Sequence, residues 1–172
     1  MQTLVISGGS SGIGKATASL FAERGWRVFE LSRSGAPDRA DSHSDKGSIT
    51  HIKCDVTSEE SCRAAVAEVL KQTETVDVVI SNAGFGISGP VEFTAIADAQ
   101  RQMDVNFMGA VRLTQAVLPQ LRKQGFGRII YTSSVAAVLA VPYQSFYSAS
   151  KAAINAMALA LQNEVREFGI RV

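Results

Sequence analysis

Strand-like runs and helical patterns alternate along this chain, and that alternation limits the fold more than any other feature. Thr3 to Ser7, Trp26 to Ser32, Ser48 to Cys54, Val76 to Ser81 and Arg128 to Ser133 are short and largely apolar. Such runs suit strands buried on both faces. Lys15 to Arg24, Ser58 to about Thr73, Ala97 to Gln124 and Phe146 to Phe168 carry helical spacing instead. Strands joined through helices run parallel, with helices on both faces of one doubly wound α/β sheet. The 172 residues suit a single domain with a sizeable core.

Several boundaries have a local cause. Gly25 sits where a helix C-cap is expected. Ser58, followed by Glu59 and Glu60, is an N-cap with acids in the first turn. Pro119 predicts a bend or an early end in the third helix. Gly169 closes the last helix, and Ile170-Arg171-Val172 looks like the opening of a sixth strand. Gly35 to Gly47 is polar and reads as a loop.

The first strand runs straight into Ser7-Gly8-Gly9-Ser10-Ser11-Gly12-Ile13-Gly14 and then a helix. Strand, glycine turn and helix form the setting a pyrophosphate needs. Glycines let the backbone come close, and the helix N-terminus offers free N–H groups and a positive dipole. Three other strand ends would complete a dinucleotide site. After the second strand stands Arg33. A basic residue there accommodates a ribose 2′-phosphate, where an acid would bind the 2′-hydroxyl. Glu30 lies earlier, within the strand, so NADP(H) is preferred and NAD(H) is the alternative; otherwise Arg33 is a solvated surface arginine. After the third strand come Asp55 and Val56; Asp55 either meets the adenine amine or turns the chain into the next helix. After the fourth, Ser81-Asn82-Ala83-Gly84 is small enough for a cofactor to lie against, and Asn82 can lock neighbouring loops through their backbone groups. Phe85 to Thr94 is a candidate active-site wall.

Tyr147 and Lys151 are four residues apart in the last helix, which puts both side chains on one face. A phenol with a pKa of about 10 is a poor proton donor near neutrality. A neighbouring ammonium favours the phenolate and makes the pair an acid/base group suited to an alcohol oxygen. Tyr143 has no lysine four residues on. Asn106 falls inside a helical pattern, where propensity does not recommend it.

Composition excludes other classes. There are 17 Lys+Arg and 16 Asp+Glu, so no basic field advertises nucleic acid. No apolar run is long enough to span a bilayer, and Met1 leads directly into a strand without a secretion signal, so a cytoplasmic location is expected. Cys54 and Cys62 are expected to be reduced thiols, and the two histidines lack a matching ligand set for a metal.

Taken together, Ser7-Gly8-x-x-x-Gly12-Ile13-Gly14, Asp55-Val56, Ser81-Asn82-Ala83-Gly84, Asn106, Ser134 and Tyr147-x-x-x-Lys151 resemble the short-chain dehydrogenase/reductase family, in family order over essentially the whole chain. The resemblance implies a Rossmann-like sheet in the order 3-2-1-4-5. It implies a tetrad in which Tyr147 is the general acid/base and Ser134, rather than Ser133, bonds the substrate oxygen. Lys151 would activate the tyrosine and bind the nicotinamide ribose, and Asn106 would hold a water linking Lys151 to solvent. Ser7 and Ser81 stand where many members have Thr and Asn, a small change. Members usually continue through further strands, a Pro-Gly turn and a substrate-covering loop, so the expectation is one domain over residues 1–172, incomplete at its C-terminus, with the final strands missing.

The expected activity is hydride transfer between NADP(H) and a ketone or secondary alcohol, with the apolar loops 85–90 and 135–142 pointing to a greasy substrate. The competing reading is a nucleotide-binding or assembly module without turnover. An extended-type epimerase or dehydratase fits the glycine spacing less well. A homodimer through Ala97–Gln124 and Phe146–Phe168 is the family habit.

Overall fold

The structure, a computed structural model, describes residues 1–34 and 47–172. The Gly35–Gly47 loop therefore lies outside the described residues except for its last glycine. Strands β1 (Thr3–Ser7), β2 (Arg27–Ser32), β3 (Ser48–Lys53), β4 (Val78–Ser81), β5 (Gly127–Tyr131) and β6 (Ile170–Arg171) form one parallel sheet in the order β3-β2-β1-β4-β5-β6. The expected 3-2-1-4-5 core is present. The sixth strand expected to open at Ile170 is β6, two residues long, pairing Ile170 and Arg171 with Gly127 and Arg128, so the final strands are present in part.

Helices α1 (Gly12–Glu23), α2 (Glu59–Gln72), α3 (Ile96–Met103), α4 (Gly109–Gln124) and α5 (Ser145–Val165) connect the strands. On one face, Leu4, Ile6, Val28 and Ile80 pack with Ala18 of α1. On the other, Val5, Phe29, Leu31 and Val79 join Val66 and Val69 of α2 and Leu113, Val117 and Leu121 of α4. Each fully buried Leu contributes about 1.5–3 kcal/mol relative to an exposed one. Strand β1 is buried along its whole length, which explains its unbroken apolar run.

The caps follow local chemistry. Ser58 accepts the Ser61 amide at 3.1 Å and opens α2. Gly25 and Gly169 have φ of +86° and +70°, the left-handed conformation that ends a helix. Two expectations are corrected. Helix α1 begins at Gly12 rather than Lys15, so the end of the glycine turn is already its first turn. Helix α4 does not end early at Pro119 but runs on to Gln124. Pro119 and Gln115 are both exposed, so the Gln115 carbonyl that the missing proline N–H leaves free lies on the solvent side of the helix.

The expected long third helix is two helices joined by a wide π-turn, Asp104–Met108, in which the Gly109 N–H reaches back five residues to the Asp104 carbonyl. Arg112 braces it, donating to the Asp104 carboxylate at 2.6 Å and to the Val56 carbonyl at 3.2 Å. Such turns often mark functional sites.

Candidate active site

The carboxyl ends of β1, β4 and β5 meet at one edge of the sheet, and Asn82 ties them together. Its amide donates to the Ser7 carbonyl at 3.2 Å and the Gly8 carbonyl at 3.3 Å, and accepts from the Thr132 hydroxyl at 3.2 Å. The Ser7 hydroxyl accepts from the backbone amides of Asn82 and Ala83. A small polar residue at Ser7 is therefore a structural need of this corner. Gly8 and Gly12 take φ of +69° and +52°, which folds the turn back over the start of α1. The N-cap Ser11 makes no side-chain cap bond, so the first amides of α1 keep their capacity to bind an anion.

A cleft of about 1040 Å³ runs from this turn to α5. Gly8, Ser10, Ser11, Gly12, Ile13, Arg33, Asp55, Val56, Asn82, Ala83, Gly84, Tyr147 and Lys151 all line it. Three of the expected residues do not. Gly14 is buried beneath the turn, Asn106 is buried behind Phe85, and Ser134 stands two residues beyond Thr132, which does line the cleft. The cleft thus has a glycine turn in its wall, an exposed Arg33 at one end and Tyr147 at the other, a lining of the kind that an extended dinucleotide needs.

Glu30 does not line the cleft. It pairs with His51 at 2.6 Å, and its side chain lies under Gly9, where an added Cβ would come within 2.5 Å of the Glu30 Cγ. Asp55 turns the chain: its carboxylate accepts the Thr57 amide at 2.9 Å and the Thr57 hydroxyl at 2.8 Å. Those bonds hold its pKa below the usual carboxylate value.

At the other end, Lys151 is buried, and its Nζ donates to the Thr132 carbonyl at 2.7 Å. The Nζ lies 5.8 Å from the centre of the Tyr147 ring. Burial pushes the Lys151 pKa down. Gly84 and Gly86 let the chain pass these groups. A Cβ on Gly84 would stand 3.1 Å from the Asn106 Oδ1 and 3.7 Å from the Lys151 Nζ; one on Gly86 would touch the Tyr147 ring at 3.6 Å.

Asn106 sits in the π-turn and binds the backbone of Phe85 from both sides, accepting its N–H at 2.9 Å and donating to its carbonyl at 2.9 Å. It also donates to the Ser150 hydroxyl at 3.1 Å, which in turn donates to the Tyr147 carbonyl at 2.7 Å. Its place inside a helical pattern is thus explained by long-range partners. The two neighbouring serines differ as well. The Ser133 hydroxyl is committed to Asn155 at 2.6 Å, whereas the Ser134 Oγ accepts the Ala136 amide at 3.1 Å and keeps its own proton for another acceptor.

Sequence reasoning missed Thr132, Gln102 and Ser150. Thr132 holds Lys151 through a backbone oxygen, which leaves no side-chain signal. The buried Gln102, which donates to the Phe85 carbonyl at 3.1 Å, could have been noticed as a polar residue one helical turn before Asn106.

Among the described residues, no helix is long and apolar enough to cross a membrane, and no cluster of His, Cys, Asp or Glu could hold a metal. The sequence is similar to the 3-ketodihydrosphingosine reductase of Bacteroides thetaiotaomicron, 40% identical over 171 residues, which are 99% of this chain and 61% of that protein. The chain spans about three-fifths of the length of the curated relatives it matches. Two solved structures share the fold. NAD+-bound xylitol dehydrogenase matches with a TM-score of 0.90 and 30% identity, over 99% of this chain and 67% of that one. The alcohol dehydrogenase from the archaeon Thermococcus sibiricus, complexed with 5-hydroxy-NADP, matches at 0.88 and 27%, over 99% and 74%. The family model for short chain dehydrogenases covers residues 2–172, from the first strand through the sixth, and to that family the chain belongs.

Proposed function

We propose that the chain is the cofactor-binding and catalytic part of an oxidoreductase that interconverts an apolar ketone and its secondary alcohol with NADP(H). The observation that carries this reading is that Tyr147 and a buried, fixed Lys151 line the same cleft as the glycine turn. Bound reduced nicotinamide would supply the hydride for the carbonyl carbon. Tyr147 would give its phenolic proton to the carbonyl oxygen, completing the alcohol. The ammonium of Lys151 would stabilise the charge that Tyr147 is left with and hold the nicotinamide ribose. Ser134, with its hydroxyl proton uncommitted within the protein, would donate to the substrate oxygen as negative charge develops there. Asn106 would hold the Phe85 loop in place. Together with Lys151, across the position that a Gly84 methyl would take, it would also hold the water through which the proton is replaced.

The preference for NADP(H) rests on Arg33, exposed at the cleft, and on Glu30 being turned toward His51. The solved neighbours include one NADP derivative and one NAD+ complex. The apolar substrate is supported by the exposed Val135, Val138 and Leu139 after β5, and by the relative named for a keto group on dihydrosphingosine.

Mixing the chain with NADPH and a panel of ketones, and following the absorbance of the reduced nicotinamide, tests the reaction. Oxidation of NADPH by aliphatic ketones is expected; nucleotide binding with no turnover of any carbonyl would favour a binding module instead. Titration should give NADPH tighter binding than NADH by about tenfold or more, since charge-assisted bonds to a phosphate contribute roughly 1.5–3 kcal/mol. Equal affinities would remove the role of Arg33.

A homodimer is part of the same proposal. On α5, Ala152, Ala156, Leu159 and Ala160 form an exposed apolar stripe at helical spacing, with Leu159 72% exposed. Light scattering should report twice the chain mass, and a monomer at high concentration would contradict it.

A further inference from the structure

Among the described residues, Tyr143 is the one non-glycine with positive φ, at +66°. In that conformation an L side chain crowds the following carbonyl, and the residues that visit it are glycine and, less often, asparagine or aspartate. A bulky aromatic is out of place there. Packing does not repay the strain, because Tyr143 is 64% exposed. Its backbone, by contrast, is held: the Gly89 N–H donates to the Tyr143 carbonyl at 2.8 Å. That bond joins the two loops that border the cleft. Ser88, next to Gly89, and Gln144, next to Tyr143, both line the cleft, so the bonded pair adjoins its border. Val138, Leu139 and Val141 in the same loop are exposed too. Glycine at this position would make the same backbone bond without strain. What the tyrosine adds is its ring, displayed in solvent on a fixed backbone in the loop just before α5 and four residues before Tyr147.

We propose that Tyr143 is a specificity residue whose ring lies against the hydrocarbon part of the substrate while the carbonyl points to Tyr147. Strain retained at an exposed position fits a functional contact better than a structural one. The inference rests on the reading of the cleft as a ketone/alcohol site and deepens it, by naming what grips the apolar portion.

Binding, rather than turnover, isolates the contact. The full chain saturated with NADPH cannot oxidise an alcohol, so a secondary alcohol added to it only binds. Calorimetric titration with 2-octanol is compared for the wild type, Tyr143→Gly and Tyr143→Phe. The expected result is binding by the wild type, an affinity about tenfold or more weaker in Tyr143→Gly, and an affinity within about twofold of wild type in Tyr143→Phe. NADPH affinity should be equal in all three, and the Tm of Tyr143→Gly should stay within about 3 °C of wild type or rise. A tyrosine kept for stability alone would give the reverse, a lower Tm with alcohol affinity intact. Equal 2-octanol affinity in the wild type and Tyr143→Gly, or no binding by the wild type, overturns the proposal. Ketone turnover reads the reaction separately, since a chain that binds the alcohol and loses it on Tyr143→Gly supports the contact even if no ketone is reduced.

Discussion

Replacing Tyr147 with phenylalanine should leave a chain that binds NADPH and reduces no ketone. The substitution removes one oxygen and keeps the ring, so the contact with Gly86 and the position over Lys151 survive. What disappears is the proton donor. General acid catalysis is typically worth about 10²–10⁴-fold, and in the proposed reaction the phenol would also orient the carbonyl oxygen. We expect kcat to fall by about 10³-fold or more, while the dissociation constant for NADPH stays within about twofold, because the glycine turn and Arg33 are untouched. Stopped-flow absorbance and fluorescence titration give the two numbers separately. Turnover within tenfold of the wild type would remove Tyr147 from the reaction; a matching loss of NADPH affinity would make it a structural residue.

Gly14→Ala should weaken nucleotide binding by about 100-fold although Gly14 itself does not line the cleft. A Cβ at position 14 would fall 2.2 Å from the Gly8 carbonyl oxygen and 2.6 Å from the Asn82 amide nitrogen. Neither neighbour can yield easily. The Gly8 N–H is bonded to the Leu31 carbonyl at 2.8 Å, and Asn82 holds Ser7, Gly8 and Thr132 together. Overpacking of this kind costs about 1–3 kcal/mol and is relieved here only by lifting the turn away from α1. The expected outcome is an NADPH affinity weaker by about 100-fold and a Tm lower by roughly 5–10 °C. Gly12→Ala is the control. Its added Cβ meets open space, so only the positive φ is penalised and a smaller loss of stability is expected. If calorimetry shows Gly14→Ala binding NADPH like the wild type, the turn does not depend on this close approach.

What the amino-acid order disclosed and what it hid divide along one physical line. Features decided by neighbours in sequence were legible: the buried run of β1, the Ser58 cap, the positive φ of Gly25 and Gly169, and the shared face of Tyr147 and Lys151. Features decided by distant backbone groups were not. The helical pattern of 97–124 gave no sign of the π-turn, because the groups that hold Asn106 there are the amide and carbonyl of Phe85, 21 residues away. Lys151 is fixed by a carbonyl, and every residue has one. Pro119 misled because proline costs a helix least where the carbonyl it strands faces water, and exposure is not written in the local sequence. The choice of Ser134 over Ser133 came from family spacing alone, and the commitment of Ser133 to Asn155 supplies an independent reason for it.

The wide turn at Asp104–Met108 acts as a phase adjuster. Each residue of a helix turns the next side chain by about 100° around the axis. Losing one residue there would give a regular α-helix, yet that helix could no longer seat Asn106 behind Phe85 and Leu113, Val117 and Leu121 in the core together. The number of residues between Asn106 and the apolar face of α4 is therefore fixed by two distant partners at once, and a deletion at this point would misplace either Asn106 or the hydrophobic centre.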